Sequence, residues 1–158
     1  MNDAPQYATA NAVDTLARTI WGEARGEGIP GMEAVASVIL NRTANPSWWG
    51  HDIVSVCLQP WQFSCWNDGD PNKQKLHSVS LRSDPDFSSA TGIAMRAVNG
   101  ELPDPTRGSD SYYALSMPIP PKWATRSAFT FIIGRHAFYR LQIAAPSGDP
   151  DATCHSHV

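Results

Sequence analysis

Apolar residues in the first third of the chain recur at helical spacing. Val13, Leu16, Ile20 and Glu23 follow one another at steps of three, four and three, which puts them on one face and predicts a helix over residues 12–25, with Asn11 or Asp14 available to cap it. Gly26 and Gly28 stop that helix. Pro30 suits the first turn of a second helix running to Thr43, with Met32, Val35, Ala36, Ile39 and Leu40 as its buried stripe, and Asn45-Pro46 ends it. The two helices form a hairpin whose connection lies beside Glu23. Further on the periodicity weakens: residues 53–58 read as a short helix, and residues 60–72, rich in turn formers, as irregular or weakly extended chain. A third helix is predicted from Phe87 or Ser88 to Asn99, burying Ala90, Ala94, Ala97 and Val98 and stopping at Gly100. Residues 111–115 and 129–133 have strand composition and are expected to pair into a small antiparallel hairpin, with a short Phe138-Tyr139 segment after Gly134. Prolines exclude regular structure from residues 118–123. Residues 1–11 read as a polar arm and residues 144–158 as a loose tail, leaving 12–143 as one α+β, mainly α-helical domain.

Composition narrows the function classes. A chain of 158 residues suits one core, and six Trp within a 42% hydrophobic composition exclude a disordered protein. The net charge of −3, without any basic run, argues against nucleic acid as a partner. No apolar run approaches the length of a membrane span, and Met1-Asn2-Asp3-Ala4-Pro5-Gln6 has neither the basic nor the apolar region of a secretory signal, so synthesis in the cytoplasm is expected. Cys57 and Cys65 are close enough to close one short loop, although reduced, packed thiols are the expectation.

The residue that breaks the pattern is Glu23, a carboxylate that continues an apolar stripe. Burying an ionised carboxylate is costly, and the negative end of a helix disfavours it further, so both effects raise its pKa. That is the state a general acid needs. From the pattern alone, a rim glutamate reaching water at a helix end is the plainer account. Glu27 lies four residues on, but Gly26 and Gly28 break any helix through both, which makes Glu27 a loop or helix-capping residue.

The order of motifs carries a resemblance. Residues 17–27, then Gly31 and residues 34–42, resemble the spore-cortex-lytic family of bacterial and phage cell-wall hydrolases. Gln59-Pro60-Trp61-Gln62-Phe63-Ser64 is similar to that family's Pro-x-x-Phe-Thr segment, with Ser64 in place of the usual Thr. Tyr112-Tyr113 is similar to its paired aromatics, and Lys122-Trp123 with residues 134–138 to its closing motifs. The resemblance implies a lysozyme-like domain, without a cofactor, that cuts the glycan strands of peptidoglycan. It implies that Glu23 is the catalytic acid and base, commonly for lytic transglycosylation, with plain hydrolysis as the variant.

A transglycosylase needs one carboxyl group, because the substrate's own 6-hydroxyl replaces water, whereas a hydrolase normally pairs two, with Glu27 the candidate partner. Gln62, Ser64 and Tyr112 are candidate hydrogen bonders to an N-acetyl group, with Glu27 and Asp110 as further substrate-side polar residues. Trp61, Phe63, Trp66 and Tyr113 are candidate stacking platforms for sugar faces, each equally a core aromatic. His136 reads as a satisfied structural histidine. Two rival readings use other residues: a zinc-dependent amidase built on His51, His77 or His136, which lacks His-Glu-x-x-His spacing, and a non-catalytic glycan-binding module, which leaves Glu23 unexplained. Cys154-His155-Ser156-His157 has ligand-like content in a tail with no partner, so no metal site is expected. A monomeric phage endolysin or virion lysin, reaching the wall through a helper pore or from the virion, without inserting in a membrane, is the expected setting.

Overall fold

In the computed structural model, which describes residues 4–141, helix α2 (Gly28–Ala44) is buried on nearly every side. Residues 34–39 are all buried, a wider face than the five-residue stripe predicts. A helix apolar all round belongs inside a core. Helix α1 (Ala4–Ala24), helix α5 (Pro85–Val98) and the short helix α3 (Ile53–Leu58) pack around it. Leu16 and Ile20 of α1 lie wholly in the core with Val35, Val38 and Ile39, while Val13 packs at its edge, as the stripe predicts.

Helix α1 starts at Ala4, inside the stretch read as a polar arm. Its first turns hold three alanines and Gln6, good helix formers, with Pro5 where a missing N–H costs nothing, so neither Asn11 nor Asp14 is needed as a cap. The predicted loose tail lies outside the described residues. Helix α5 begins two residues earlier than predicted, because Asp84 accepts from the Phe87 N–H and Pro85 opens the first turn. Helix α4 (Pro71–Ser78) was not expected at all. Asp70-Pro71, read as a turn, is its cap and first residue, and Leu76 is its one buried side chain, so no apolar period marks it.

Three strands follow: β1 (Ser111–Ala114), β2 (Phe129–Ile133) and β3 (His136–Tyr139), antiparallel in the order β1-β3-β2. The predicted pairing of the first two is therefore wrong in its partner. Ile133 opposes His136 across a two-residue Gly134-Arg135 turn, so β3 folds straight back on β2 and takes the central place. All four β3 residues are buried, which suits the central strand. Residues 118–123 form no helix or strand, and Trp123 from this segment closes a second small cluster with Tyr113 and Tyr139.

Arg42 ties these layers together from inside. Fully buried near the end of α2, its Nε donates to the Asp110 carbonyl at 2.7 Å and its Nη1 to Gln62 Oε1 at 3.4 Å. Its guanidinium also faces the Trp49 and Phe63 rings at 5.5 and 5.6 Å from their centroids. Replacing Arg42 by Met keeps the volume but withdraws a donor from two buried acceptors, each loss costing roughly 1–3 kcal/mol. Chemical denaturation of Arg42→Met should show a loss of stability of several kcal/mol, and a loss comparable to that of an exposed substitution would contradict this role.

Candidate active site

Glu23 sits one residue before the end of α1, partly open to solvent, where a short 3₁₀ turn, Ser64–Trp66, crosses the helix. Gly22 permits that crossing. A Cβ there would come to 2.9 Å from the Cys65 Cβ and Sγ, closer than side chains pack. With the turn this close, the Cys65 N–H donates to Glu23 Oε1 at 3.1 Å, and the Tyr112 hydroxyl donates to Oε2 at 3.2 Å. Burial pushes the Glu23 pKa up and the negative charge of Asp70 adds to this, against the bonds from Cys65 and Tyr112, which favour the ionised form. Net, the carboxyl is held more readily protonated than a free glutamate.

The helix end is itself tied down. Arg25 donates to the Trp21 and Gly22 carbonyls in the last turn of α1, lies 4.2 Å from the Trp21 ring centroid and reaches Asn72 Oδ1 at 2.8 Å in the first turn of α4. Arg18, four residues on each side of the stripe from Asp14 and Gly22, bonds the Leu76 and Val79 carbonyls at the other end of α4. Helix α4 is therefore clamped to α1, and it brings Asp70 with it.

The paired tyrosines part company because neighbouring strand residues face opposite ways. Tyr112 enters the main core, stacked near Phe138 and edge-on to His136, with its hydroxyl on Glu23. Burial, and the nearby Glu23 charge, keep that hydroxyl protonated. Tyr113 faces the second cluster, between Trp123 and Tyr139, and does not present a ring for stacking. His136 is buried with its Nδ1 lacking a hydrogen-bond partner among the described residues, so it is not the satisfied histidine expected; burial lowers its pKa and keeps the ring neutral.

Glu27 is occupied elsewhere. It stands at the N-cap position of α2 without making a side-chain cap, and instead accepts from the Arg135 N–H at 3.0 Å and the Arg135 Nε at 2.7 Å. Its side chain is only 10% exposed. Desolvation works to raise its pKa, but the Arg135 bonds and charge outweigh it and hold the carboxylate below the usual range. Gly134 makes this clamp possible, since its φ of +55° opens the turn and any Cβ there would strike the Glu27 carboxylate.

Other predicted contacts are relocated. Phe63 is a core residue beneath the Arg42 guanidinium, and Gln62, 2% exposed, gives its carbonyl to Arg42, so neither faces a substrate. Asp110 is wholly buried and accepts from the Leu141 N–H and the Ser111 hydroxyl. Their polarity serves the interior, which a sequence pattern cannot distinguish from a cleft. Ser64 lies half-buried at the start of the turn that holds Glu23, and Trp66 at its end, with its Nε1 bonded to Thr19 Oγ1 at 3.0 Å. Trp61 is exposed. Cys57 and Cys65 are free, buried thiols with pKa values raised by burial, Cys57 to about 12. Among the described residues no three His, Cys, Asp or Glu side chains converge as metal ligands. The backbone donor of Cys65, the spacer Gly22 and the charge of Asp70 were not anticipated; Asp-Pro ahead of a weak helix was the one available signal.

The sequence pattern of the Cell Wall Hydrolase family matches residues 26–139. A spore cortex-lytic enzyme of Bacillus cereus is 30% identical over 138 residues, covering 85% of this chain and 46% of that protein. One from Halalkalibacterium halodurans is 29% identical over 134 residues, covering 85% and 36%. The chain thus spans less than half the length of these relatives. Two solved structures share the fold: the catalytic domain of the germination-specific lytic transglycosylase SleB from Bacillus anthracis, with a TM-score of 0.61 and 27% identity over 82% of this chain and 94% of that one, and the catalytic domain of the Bacillus cereus SleB protein, with 0.64 and 26% over 83% and 91%.

The raised Glu23 pKa has a cost in stability. Because the folded state holds this proton more tightly than the unfolded chain, stability is whole below the ordinary value near 4.5 and declines as pH rises through the raised value. Glu23→Gln should therefore melt higher than the parent at pH 7, on the order of a few degrees, with the gap closing as the pH approaches 4. Melts that coincide at every pH would refute the buried, raised acid.

Proposed function

Since the chain belongs to the cell-wall hydrolase family, we propose that it cleaves the glycan strands of peptidoglycan by lytic transglycosylation, with Glu23 as its single general acid and base. The observation that carries this reading is one half-buried carboxyl with a raised pKa, gripped by Cys65 and Tyr112, while Glu27 is already spent on Arg135. Protonated Glu23 gives its proton to the glycosidic oxygen as the bond to the anomeric carbon breaks. The resulting carboxylate then takes the proton of the same sugar's 6-hydroxyl as that oxygen closes onto the anomeric carbon. The proton lost in the first half is regained in the second, and no water is consumed. The Cys65 N–H and Tyr112 hydroxyl fit the middle of this cycle, since both donate to the carboxylate form and steady it between its two tasks.

Glu23→Gln should fold and lose roughly a hundredfold or more of its activity on purified sacculi, measured as turbidity loss. Mass spectrometry of the parent's products should find anhydro ends, lighter than reducing ends by one water; mainly reducing ends would make the enzyme a hydrolase.

The pH profile gives an independent check. Activity needs the protonated acid and so falls as pH rises through the Glu23 pKa. Tyr112→Phe removes a bond to the carboxylate and should move that limb to higher pH, whereas Asp70→Asn removes a negative neighbour, keeps a capping side chain, and should move it to lower pH. Shifts in one common direction would count against Glu23 as the group observed.

A further inference from the structure

Trp61 adopts a backbone conformation that its side chain does not favour. Among the described residues only Trp61, with φ of +66°, and Arg107 have positive φ without being glycine. For a bulky residue the left-handed region is a strained conformation. The fold does not offset this strain through the ring: the residue is 68% exposed and its side chain makes no hydrogen bond, ring contact or cation contact among the described residues. Strain held in place by the surrounding chain, with a large apolar ring turned to solvent, is typical of a site where something else uses the ring.

The ring borders a groove of about 260 Å³, whose walls include Leu58, Trp61 and Trp66 and whose polar end is formed by Asn67 and the Asp68–Lys73 ion pair. That is just under the ~300–1,000 Å³ of enclosed small-molecule pockets, the size for one unit of a longer ligand lying in an open channel. The groove and the Glu23 site share one turn. The turn whose Cys65 N–H holds Glu23 contributes its next residue, Trp66, to the groove wall, and Asn67 follows directly. A pyranose has an apolar C–H face and a rim of hydroxyl and amide groups, which matches one aromatic wall and one polar end.

We propose that this groove is a glycan subsite that seats one N-acetylhexosamine unit with its C–H face on the Trp61 indole, beside the unit whose bond Glu23 breaks. The inference rests on the reading of Glu23 given above and names the substrate group that the neighbouring groove holds. The strain at Trp61 places the platform, and the ring does not serve the core. Binding and stability should therefore move in opposite directions when it is replaced by Asn, a residue that tolerates this backbone.

The test uses Glu23→Gln protein, with and without Trp61→Asn, co-sedimented with purified peptidoglycan and followed by thermal melting. The expected result is at least a tenfold weaker association for the Trp61→Asn protein, with a melting temperature at or above that of its parent. Trp61→Ala should weaken association to the same extent. Association unchanged within twofold, no association of the Trp61-bearing protein, or weaker association together with a lower melting temperature for Trp61→Asn would each overturn the subsite. Failure of the catalytic reading is distinguishable, since it appears as lysis by Glu23→Gln protein irrespective of Trp61.

Discussion

The approach of the 64–66 turn to helix α1 is the constraint on which the site depends. A carboxyl at the end of an apolar stripe is only partly removed from water by its own helix; covering it takes a second segment, and that segment must bring donors or leave the charge unsupported. Gly22 lets the turn come near enough for a backbone N–H to supply the donor. The interaction is double-edged, since the packing that raises the pKa also delivers the bonds that lower it. The result is a carboxyl able to hold a proton and to survive without one.

Around that contact the structure invests in rigidity. Arg25 and Arg18 clamp α4 to α1, and Arg42 joins the end of α2 to Gln62 ahead of the turn and to Asp110 ahead of β1. Arg18 and Arg42 do this partly through backbone carbonyls, at Leu76, Val79 and Asp110, while Arg25 reaches α4 through the Asn72 side chain and Arg42 reaches Gln62 through its side-chain carbonyl. Residues 59–70, with a single short 3₁₀ turn, are held by Arg42 at Gln62 on one side and run on the other into α4, which Arg25 and Arg18 fasten to α1. Trp61 sits within that span, and its positive φ is kept by neighbours that are themselves anchored.

The second acidic residue of the hairpin illustrates how position decides chemistry. Glu23 and Glu27 are four residues apart and both lie close to helix ends, yet their pKa values move in opposite directions. Glu23 meets two neutral donors and a like charge from Asp70. Glu27 meets a guanidinium, a backbone N–H and a glycine that leaves room for its carboxylate. One is kept in a state suited to giving up a proton, the other is a fastener between α2 and the β2–β3 turn.

What was legible in the chain follows from its periodic signals. The stripe through Val13, Leu16, Ile20 and Glu23, the second helix and the third were readable because helical burial imposes a period that survives in a single sequence. The singular position of Glu23 was readable because a charge on such a stripe violates it. Helix α4 was not, since one buried leucine makes no period, and the order of the sheet was not, since composition marks a strand without naming its partner. The sorting of Gln62, Phe63 and Asp110 into the interior, and of Tyr112 and Tyr113 onto opposite faces, required the packed chain. Polar and aromatic residues look alike in sequence whether they face a core or a cleft; only the segments brought against them from 20 to 89 residues away decide which it is.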